Sequence, residues 1–270
     1  MKTTVLASAM VLALAGLASA VDVTTCPATV PAYTTGIVQA DLTCTNATSS
    51  GYIELQRGAV LDLNGHTLTF TPDDPAAALV FCDSNCAVQG PGILKASALG
   101  WASIWVGAEG MLVVRDLTIE GMVHGIVDNN GRVIVTNTSI SAQQWGIAAA
   151  KKAVLDGVTV AVTAPGGYCI GATAEIRSAV VGQNVTLTSC VDGIWASGKV
   201  RLDGLTATSN SGVGVYSAKR LVLRNSTVTG SGVVDLLSGR RPVLLNTTCG
   251  TSRQDTFDPV PPTWGVCAND

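Results

Sequence analysis

A repeat of about 21 residues constrains the fold of this chain more than any other feature of its sequence. Seven similar segments, rich in Val, Ile, Leu and Thr, align on one hydroxyl-bearing position. Its residues are Thr118, Ser139, Thr159, Thr186, Thr206, Thr227 and Thr248. The steps between them are 21, 20, 27, 20, 21 and 21 residues, so one repeat carries an insertion. Repeats of this length indicate a solenoid, in which each unit buries its apolar side chains against its neighbours.

Two further rows of residues keep the same period. A row of small residues comprises Gly125, Gly146, Gly167, Gly193 and Gly214, and ends at Asp235. A row of residue types that tolerate a left-handed backbone precedes the hydroxyl row and comprises Asp116, Asn137, Gly157, Asn184, Gly204, Asn225 and Asn246. Each repeat therefore predicts short strands separated by a sharp bend, and no segment has helical periodicity. We predict an all-β, single-stranded parallel β-helix of eight or nine coils, stacked about 4.8 Å apart.

A resemblance to a known superfamily supports the same fold. The run LDLNGHTLTF at residues 61–70, followed by Gly-rich coils with an Asn row, resembles the pectin-lyase-like superfamily of right-handed parallel β-helix proteins. The resemblance covers residues 50–250. It implies a β-helix and lyase, hydrolase or epimerase chemistry on acidic polysaccharides, although the same superfamily contains adhesins, and a fold does not fix an activity.

The two ends of the chain predict a secreted protein with a capped solenoid. Residues 1–20 combine Lys2, an apolar run and the small residues Ala18-Ser19-Ala20, which is typical of a cleaved signal peptide, with an uncleaved anchor as the alternative. No other apolar run is long enough to span a membrane. Residues 21–50 and 251–270 are expected to cap the β-helix of residues 51–250, because an open end exposes strand edges. We expect a monomer.

The cysteine content also indicates an oxidising compartment. An even number of cysteines in a secreted chain predicts disulfides. Pairing each cysteine with its nearest neighbour gives four bonds: Cys26–Cys44, Cys82–Cys86, Cys169–Cys190 and Cys249–Cys267. A metal site is the alternative, but paired CxxC motifs are missing and the sequence contains only His66 and His124 as histidines. No cofactor is expected, except that calcium would suit some enzymes of the resembled superfamily.

Candidate catalytic residues lie near the row of small residues that begins at Gly125, called the glycine row below. His124 precedes Gly125 and has a side chain suited to general-base catalysis, with Asp128 four residues later; its alternative role is to cap a turn. Asp192 is expected in the same row, after Trp145 and Gly166. Three coils separate it from His124, or about 14 Å, so the two cannot act on one bond.

Candidate ligand-binding residues form two other rows. Trp195 and Tyr216 are expected on adjacent coils, two positions after the glycines, in a row that contains Cys169 in the long coil. They are either an outward platform for a sugar ring or inward core residues. A basic row begins each coil and comprises Arg132, Lys152, Arg177, Lys199, Arg220 and Arg241. It would complement a linear polyanion, or it simply keeps the coil edges soluble.

These observations favour binding to, or action on, an acidic polysaccharide. As an enzyme the protein would be a lyase or a C5-epimerase, which both remove the proton next to a carboxylate. The alternatives are a non-catalytic structural or surface-interaction β-helix and, from the Thr-x-Thr strands at Thr186, Thr206 and Thr227, an ice-binding protein. The net charge of −3 argues against a nucleic-acid ligand. Candidate glycosylation sequons begin at Asn46, Asn137, Asn184, Asn225 and Asn246.

Overall fold

The computed structural model describes most of the chain. The described residues are 19–45, 51–71, 78–96, 100–164, 166–173, 178–208, 210–256 and 262–270. Most of the predicted signal peptide lies outside them, as do Asn46 and Arg177. Among the described residues all regular structure is β-strand, so the predicted fold class is confirmed. None of these residues belongs to a helix that is long and apolar enough to cross a membrane.

The described residues form 24 strands. In order they are β1 (Ala20–Val23), β2 (Ala28–Val30), β3 (Thr35–Val38), β4 (Leu42–Cys44), β5 (Gly51–Leu55), β6 (Val60–Asp62), β7 (Thr67–Phe70), β8 (Ala78–Cys82), β9 (Ala87–Ala96), β10 (Ala102–Val106), β11 (Met111–Asp128), β12 (Arg132–Ala149), β13 (Lys152–Val162), β14 (Tyr168–Ala172), β15 (Ala179–Thr188), β16 (Asp192–Ala196), β17 (Lys199–Thr208), β18 (Val213–Ser217), β19 (Leu221–Arg224), β20 (Thr227–Thr229), β21 (Val234–Ser238), β22 (Val243–Leu245), β23 (Thr248–Cys249) and β24 (Ser252–Gln254).

Parallel pairing winds these strands into a solenoid of about ten turns with three faces. The first face runs from β2 through β5, β8 and β10 and the ends of β11 and β12 to β14, β16, β18, β21 and β24. The second face contains β1, β3, β6, the starts of the long strands β9, β11, β12, β13, β15 and β17, and then β19 and β22. The third face contains β4, β7, the later parts of the same long strands, β20 and β23.

The coil count exceeds the predicted eight or nine because the first residues also form strands. Residues 21–50 were expected to cap the solenoid; within the described part of this segment, β2 pairs in parallel with β5, β3 with β6 and β4 with β7. This segment therefore contributes to all three faces.

The core is built from identical stacked positions. Ile126, Ile147, Ile170 and Ile194 follow one another on successive coils of the first face, and all four are fully buried. Neighbouring columns on the other two faces hold Val, Leu and Ile in the same way. Burying such side chains supplies the main favourable free energy of folding, which explains the small share of charged residues.

The bend between the second and third faces is the row of left-handed residues that the sequence predicts. Asn137, Asn184, Asn225 and Asn246 all have φ between 45° and 53°. The Asn246 Nδ2 atom donates a hydrogen bond to Asn225 Oδ1 at 2.9 Å, and Asn225 donates to Asp203 at 2.8 Å. Four of the five sequons begin at these asparagines, so the fold alone accounts for their spacing.

All four predicted disulfides are confirmed. Cys26–Cys44 and Cys249–Cys267 lie near the two ends of the solenoid, with Cα atoms 5.1 Å apart in each pair. Cys169–Cys190 joins β14 to the segment just before β16. Four disulfides are consistent with an extracellular protein.

The register corrects the sequence alignment in the long coil. Tyr168 pairs with Trp145 and with Asp192, so Cys169, rather than Gly167, follows in the glycine row. The alignment failed because the insertion is divided between two places. Six residues separate β14 from β15, whereas two separate β12 from β13, and extra residues also precede Tyr168.

Candidate functional site

An outward column on the first face gathers aromatic side chains that lie far apart in the sequence. Its register runs in order through Phe81, Trp105, Val127, Ala148, Gly171, Trp195 and Tyr216. These residues alternate with the buried inward column of Val80, Ile104 and Ile126, so the strand pleat turns them away from the core. Six steps of about 4.8 Å give this column a length of about 29 Å.

The amino-terminal half of this column belongs to a continuous aromatic cluster. The ring centroids of Phe81 and Trp105 are 5.3 Å apart, and those of Trp105 and Trp101 are 5.1 Å apart. His124 lies 5.5 Å from Trp101 and 4.9 Å from Trp145. Trp101 and Trp105 also pack on a small apolar patch that is separate from the main core and consists of Ala78, Ala102 and Val127.

The carboxyl-terminal half contains the predicted platform. Trp195 and Tyr216 are paired neighbours with ring centroids 4.2 Å apart, and Tyr168 lies 5.8 Å from Trp195. All three side chains are half-buried. The Tyr216 hydroxyl donates a hydrogen bond to Asp255 at 2.9 Å, and burial together with this carboxylate raises the pKa of Tyr216 to about 12.

Cys169, which was expected in this column, lies elsewhere. The register places Gly171 at that position, while Cys169 is fully buried in the core and disulfide-bonded. The neighbouring row also differs from the prediction, because Tyr168 occupies the position assigned to Gly166. The same shift of two residues explains both errors.

A cavity of about 310 Å³ separates the two aromatic groups. Trp145, Tyr168 and Trp195 line it, and Ala148 and Gly171 contribute to its wall. It exists because the column carries its two smallest side chains at these adjacent coils. Trp145 is 37% exposed, which is unusual for an indole, so this groove offers an apolar surface to a ligand.

The three candidate catalytic residues do not converge. His124 is only 7% exposed between Trp101 and Trp145, and burial lowers the pKa of its imidazole. Its Nδ1 atom has no hydrogen-bond partner within the described part of the chain. Asp192 lies in the same column three pairings away, and burial raises the pKa of its carboxyl group. The predicted separation of about 14 Å follows from that register.

Asp128 has a structural role. Its Oδ1 atom accepts hydrogen bonds from the backbone N–H groups of Asn130 and Gly131, which closes the turn between β11 and β12. The residue is 1% exposed, and burial is the main reason that the pKa of its carboxyl group is raised. Asp128 is nevertheless one of the residues that line the cavity.

The basic row lies at the corner where the first face turns into the second. Arg132, Lys152 and Lys199 share one register position, Arg220 directly precedes β19, and Arg241 lies two residues before β22. Ala179 holds this position in the long coil; Arg177, which was expected near it, is outside the described residues. Burial and the charge of Arg132 lower the pKa of Lys152, while Arg132, Lys199, Arg220 and Arg241 are exposed.

From Arg132 onwards, the basic row runs beside the aromatic column, that is, the outward column of the first face from Phe81 to Tyr216. Lys199 follows Trp195 by four residues, and Arg220 follows Tyr216 by four residues. This spacing places an exposed cation around the corner from each ring of the platform. Trp195 and Tyr216 in this half of the site were predicted from the sequence, whereas Phe81, Trp101, Trp105 and Tyr168 were missed. Phe81 and Trp105 share one position of the coil, but their coils precede the aligned repeats. Tyr168 was missed because the misaligned long coil assigned its position to Gly166.

Neither a metal site nor a similarity to a known protein indicates the chemistry of this groove. No group of three or more His, Cys, Asp or Glu side chains within the described ranges could hold a metal ion. No protein-family model, no curated protein and no solved structure matches the chain.

Proposed function

We propose that this protein is an extracellular β-helix that binds an acidic polysaccharide along its first face. The observation that carries the proposal is the aromatic column with exposed cations beside it. Sugar rings present apolar C–H faces that pack on aromatic rings, and aromatic side chains supply large contact areas with a polar tip. A column about 29 Å long accommodates several consecutive sugar units.

The basic row supplies the preference for acidic chains. Carboxylates or sulfates on a polysaccharide form charge-assisted hydrogen bonds with Arg and Lys. Lys199 and Arg220 lie on adjacent coils, about 5 Å apart along the solenoid axis. A run of like charges at this spacing repels itself, and a polyanion bound along it relieves that repulsion.

Binding fits the site better than turnover does. A lyase or C5-epimerase needs a base at the reacting carbon and a cation beside the carboxylate. His124 is buried among indole rings, Asp128 closes a turn, and Asp192 is three coils away from His124. The polysaccharide chemistry implied by the pectin-lyase-like resemblance therefore enters this proposal as recognition without cleavage.

The test is a binding titration of the mature protein with pectate, alginate and a sulfated glycan. The double variant Lys199→Ala/Arg220→Ala should weaken binding to the preferred polymer at least tenfold. The matched control is Arg201→Ala, because Arg201 is an exposed cation of the second face, two residues beyond the corner. Equal affinities of the double variant and the wild type would exclude a role for the basic row.

A further inference from the structure

The third face carries a regular array of hydroxyl groups. Its first outward column is continuous over seven coils, because each residue pairs with the next: Thr118, Ser139, Thr159, Thr186, Thr206, Thr227 and Thr248. A second column lies two residues later on each strand and holds Ser141, Ala161, Thr188, Thr208 and Thr229. We call the two columns from Ser139 onwards the hydroxyl face.

The hydroxyl face is uncharged and held rigidly. Neither column contains a charged or an aromatic residue after Glu120. Between the two columns the side chains of Ile140, Val160, Leu187, Ala207 and Val228 point inward, and they are 0–1% exposed. Parallel pairing on both sides of each strand fixes the backbone, so the hydroxyl groups keep one spacing along the solenoid.

The hydroxyl groups are regularly spaced in two directions, along the solenoid axis and along the strands. Successive coils place hydroxyl groups about 4.8 Å apart, and the two columns are separated by about 6.7 Å along the strand. Each threonine hydroxyl both donates and accepts hydrogen bonds, and its methyl group covers the adjacent surface. An uncharged lattice of this kind, interrupted in its second column at Ala161, orders a layer of water molecules with a fixed repeat, which is the requirement for adsorption to ice, whose surface oxygens repeat at similar distances.

We propose that the hydroxyl face binds ice. A polysaccharide fits this face less well than ice does, because the two hydroxyl columns contain no aromatic residue. The aromatic residues gather on the first face instead. Seven of the chain's twelve lie on or beside its column when Trp101, Trp145 and Tyr168 are included. The inference does not depend on the proposed polysaccharide binding, since the two functions use different faces.

The experiment measures thermal hysteresis and ice-crystal shape with the purified protein. Wild type should separate the freezing and melting points and produce faceted crystals. Thr206→Lys places a charge in the middle of the array and should abolish most of the hysteresis. Thr43→Lys is the matched control, because Thr43 is an exposed outward residue of the same face, outside the array.

Three outcomes decide the proposal. Hysteresis in the wild type and in Thr43→Lys, with loss in Thr206→Lys, supports it. Folded wild-type protein without hysteresis overturns it, and so does equal loss in both variants. Circular dichroism confirms folding in each case, and the polysaccharide titration of the same samples reports independently on the first face.

Discussion

The rings of Trp195 and Tyr216 lie 4.2 Å apart at paired positions on adjacent coils. Because both side chains face outward beside the cavity, they form a surface on which consecutive sugar rings can stack. Their arrangement therefore leads to predictions about affinity.

Trp195→Ala is expected to weaken binding to the preferred acidic polysaccharide about tenfold, or about 1.4 kcal/mol, because it removes the apolar indole surface on which a sugar ring would pack. Isothermal titration calorimetry measures the change. Tyr33→Asn is the aromatic control, since Tyr33 is exposed away from the column and asparagine tolerates its left-handed φ of 60°. If both variants bind like the wild type, the platform does not contact the ligand.

Gly171→Leu should block the cavity without unfolding the protein. A Cβ atom on Gly171 would have the carbonyl oxygen of Ile147 as its nearest neighbour, at 3.9 Å, which is ordinary contact. The added side chain would therefore extend into the space between Trp145 and Trp195. We expect a thermal midpoint close to that of the wild type and clearly weaker polysaccharide binding. A variant that binds normally would show that the ligand does not enter the cavity.

The buried His124 imidazole should make stability depend on pH. Its pKa is lowered in the folded state by burial, whereas the unfolded value is about 6.5. The unfolded chain therefore binds a proton first, and the free energy of unfolding should fall as the pH drops below about 6.5. Urea unfolding at pH 7.5 and 5.5 should show a smaller difference for His124→Phe than for the wild type. Equal differences in the two proteins would contradict this prediction.

The buried carboxyl groups act in the opposite direction at lower pH. Burial raises the pKa of Asp128 and of Asp192, so the folded state takes up their protons before the unfolded state does. Their protonation therefore favours folding as the pH falls towards the unfolded pKa of about 3.9. Both carboxyl groups are present in the wild type and in His124→Phe, so their effect cancels in the comparison of those two proteins.

The asparagine ladder can be tested at Asn225 with two substitutions. Asn225→Ala removes the hydrogen bonds with Asp203 and Asn246 and places alanine at a φ of 47°, which together should cost about 2 kcal/mol. Asn225→Gly loses the same hydrogen bonds but accepts the backbone conformation, so it should cost about half as much. Denaturant unfolding compares them. A glycine variant no more stable than the alanine variant would rule out backbone conformation as a cause.

The Cys169–Cys190 disulfide should stabilise the coil that contains Tyr168. It closes a segment of 21 residues, and chain-entropy arguments predict a loss of about 3 kcal/mol when both cysteines become alanine. The double variant avoids a free thiol in the core. Unfolding monitored by fluorescence should show the loss, and a change below about 1 kcal/mol would mean that stacking alone holds this coil.

The fold could be predicted from the sequence because residues at equivalent positions recur in successive coils. The hydroxyl row and the left-handed row recur at nearly constant intervals, so the parallel β-helix and the bend before each hydroxyl position could be predicted. The four disulfides followed separately, from pairing each cysteine with its nearest neighbour. The long coil was misaligned at Gly167 because a divided insertion leaves no single gap in the sequence. Only the strand register shows that Tyr168, and not Gly166, follows Trp145 on the first face.

The candidate site was harder to predict than the fold. Trp195 and Tyr216 were visible because they share a coil position, whereas Trp101 and Trp105 lie in coils outside the aligned repeats. The cavity depends on the small side chains of Ala148 and Gly171. It can be recognised only when the positions of the aromatic residues on either side are known.

The most direct test of the central claim is a tryptophan fluorescence titration with acidic polysaccharides. Four of the five tryptophans, Trp101, Trp105, Trp145 and Trp195, lie on or beside the aromatic column. We predict a saturable emission change with at least one of pectate, alginate and a sulfated glycan, none with a neutral glucan, and weaker binding at high salt. An unchanged spectrum of the folded protein with all three acidic polymers would contradict the account.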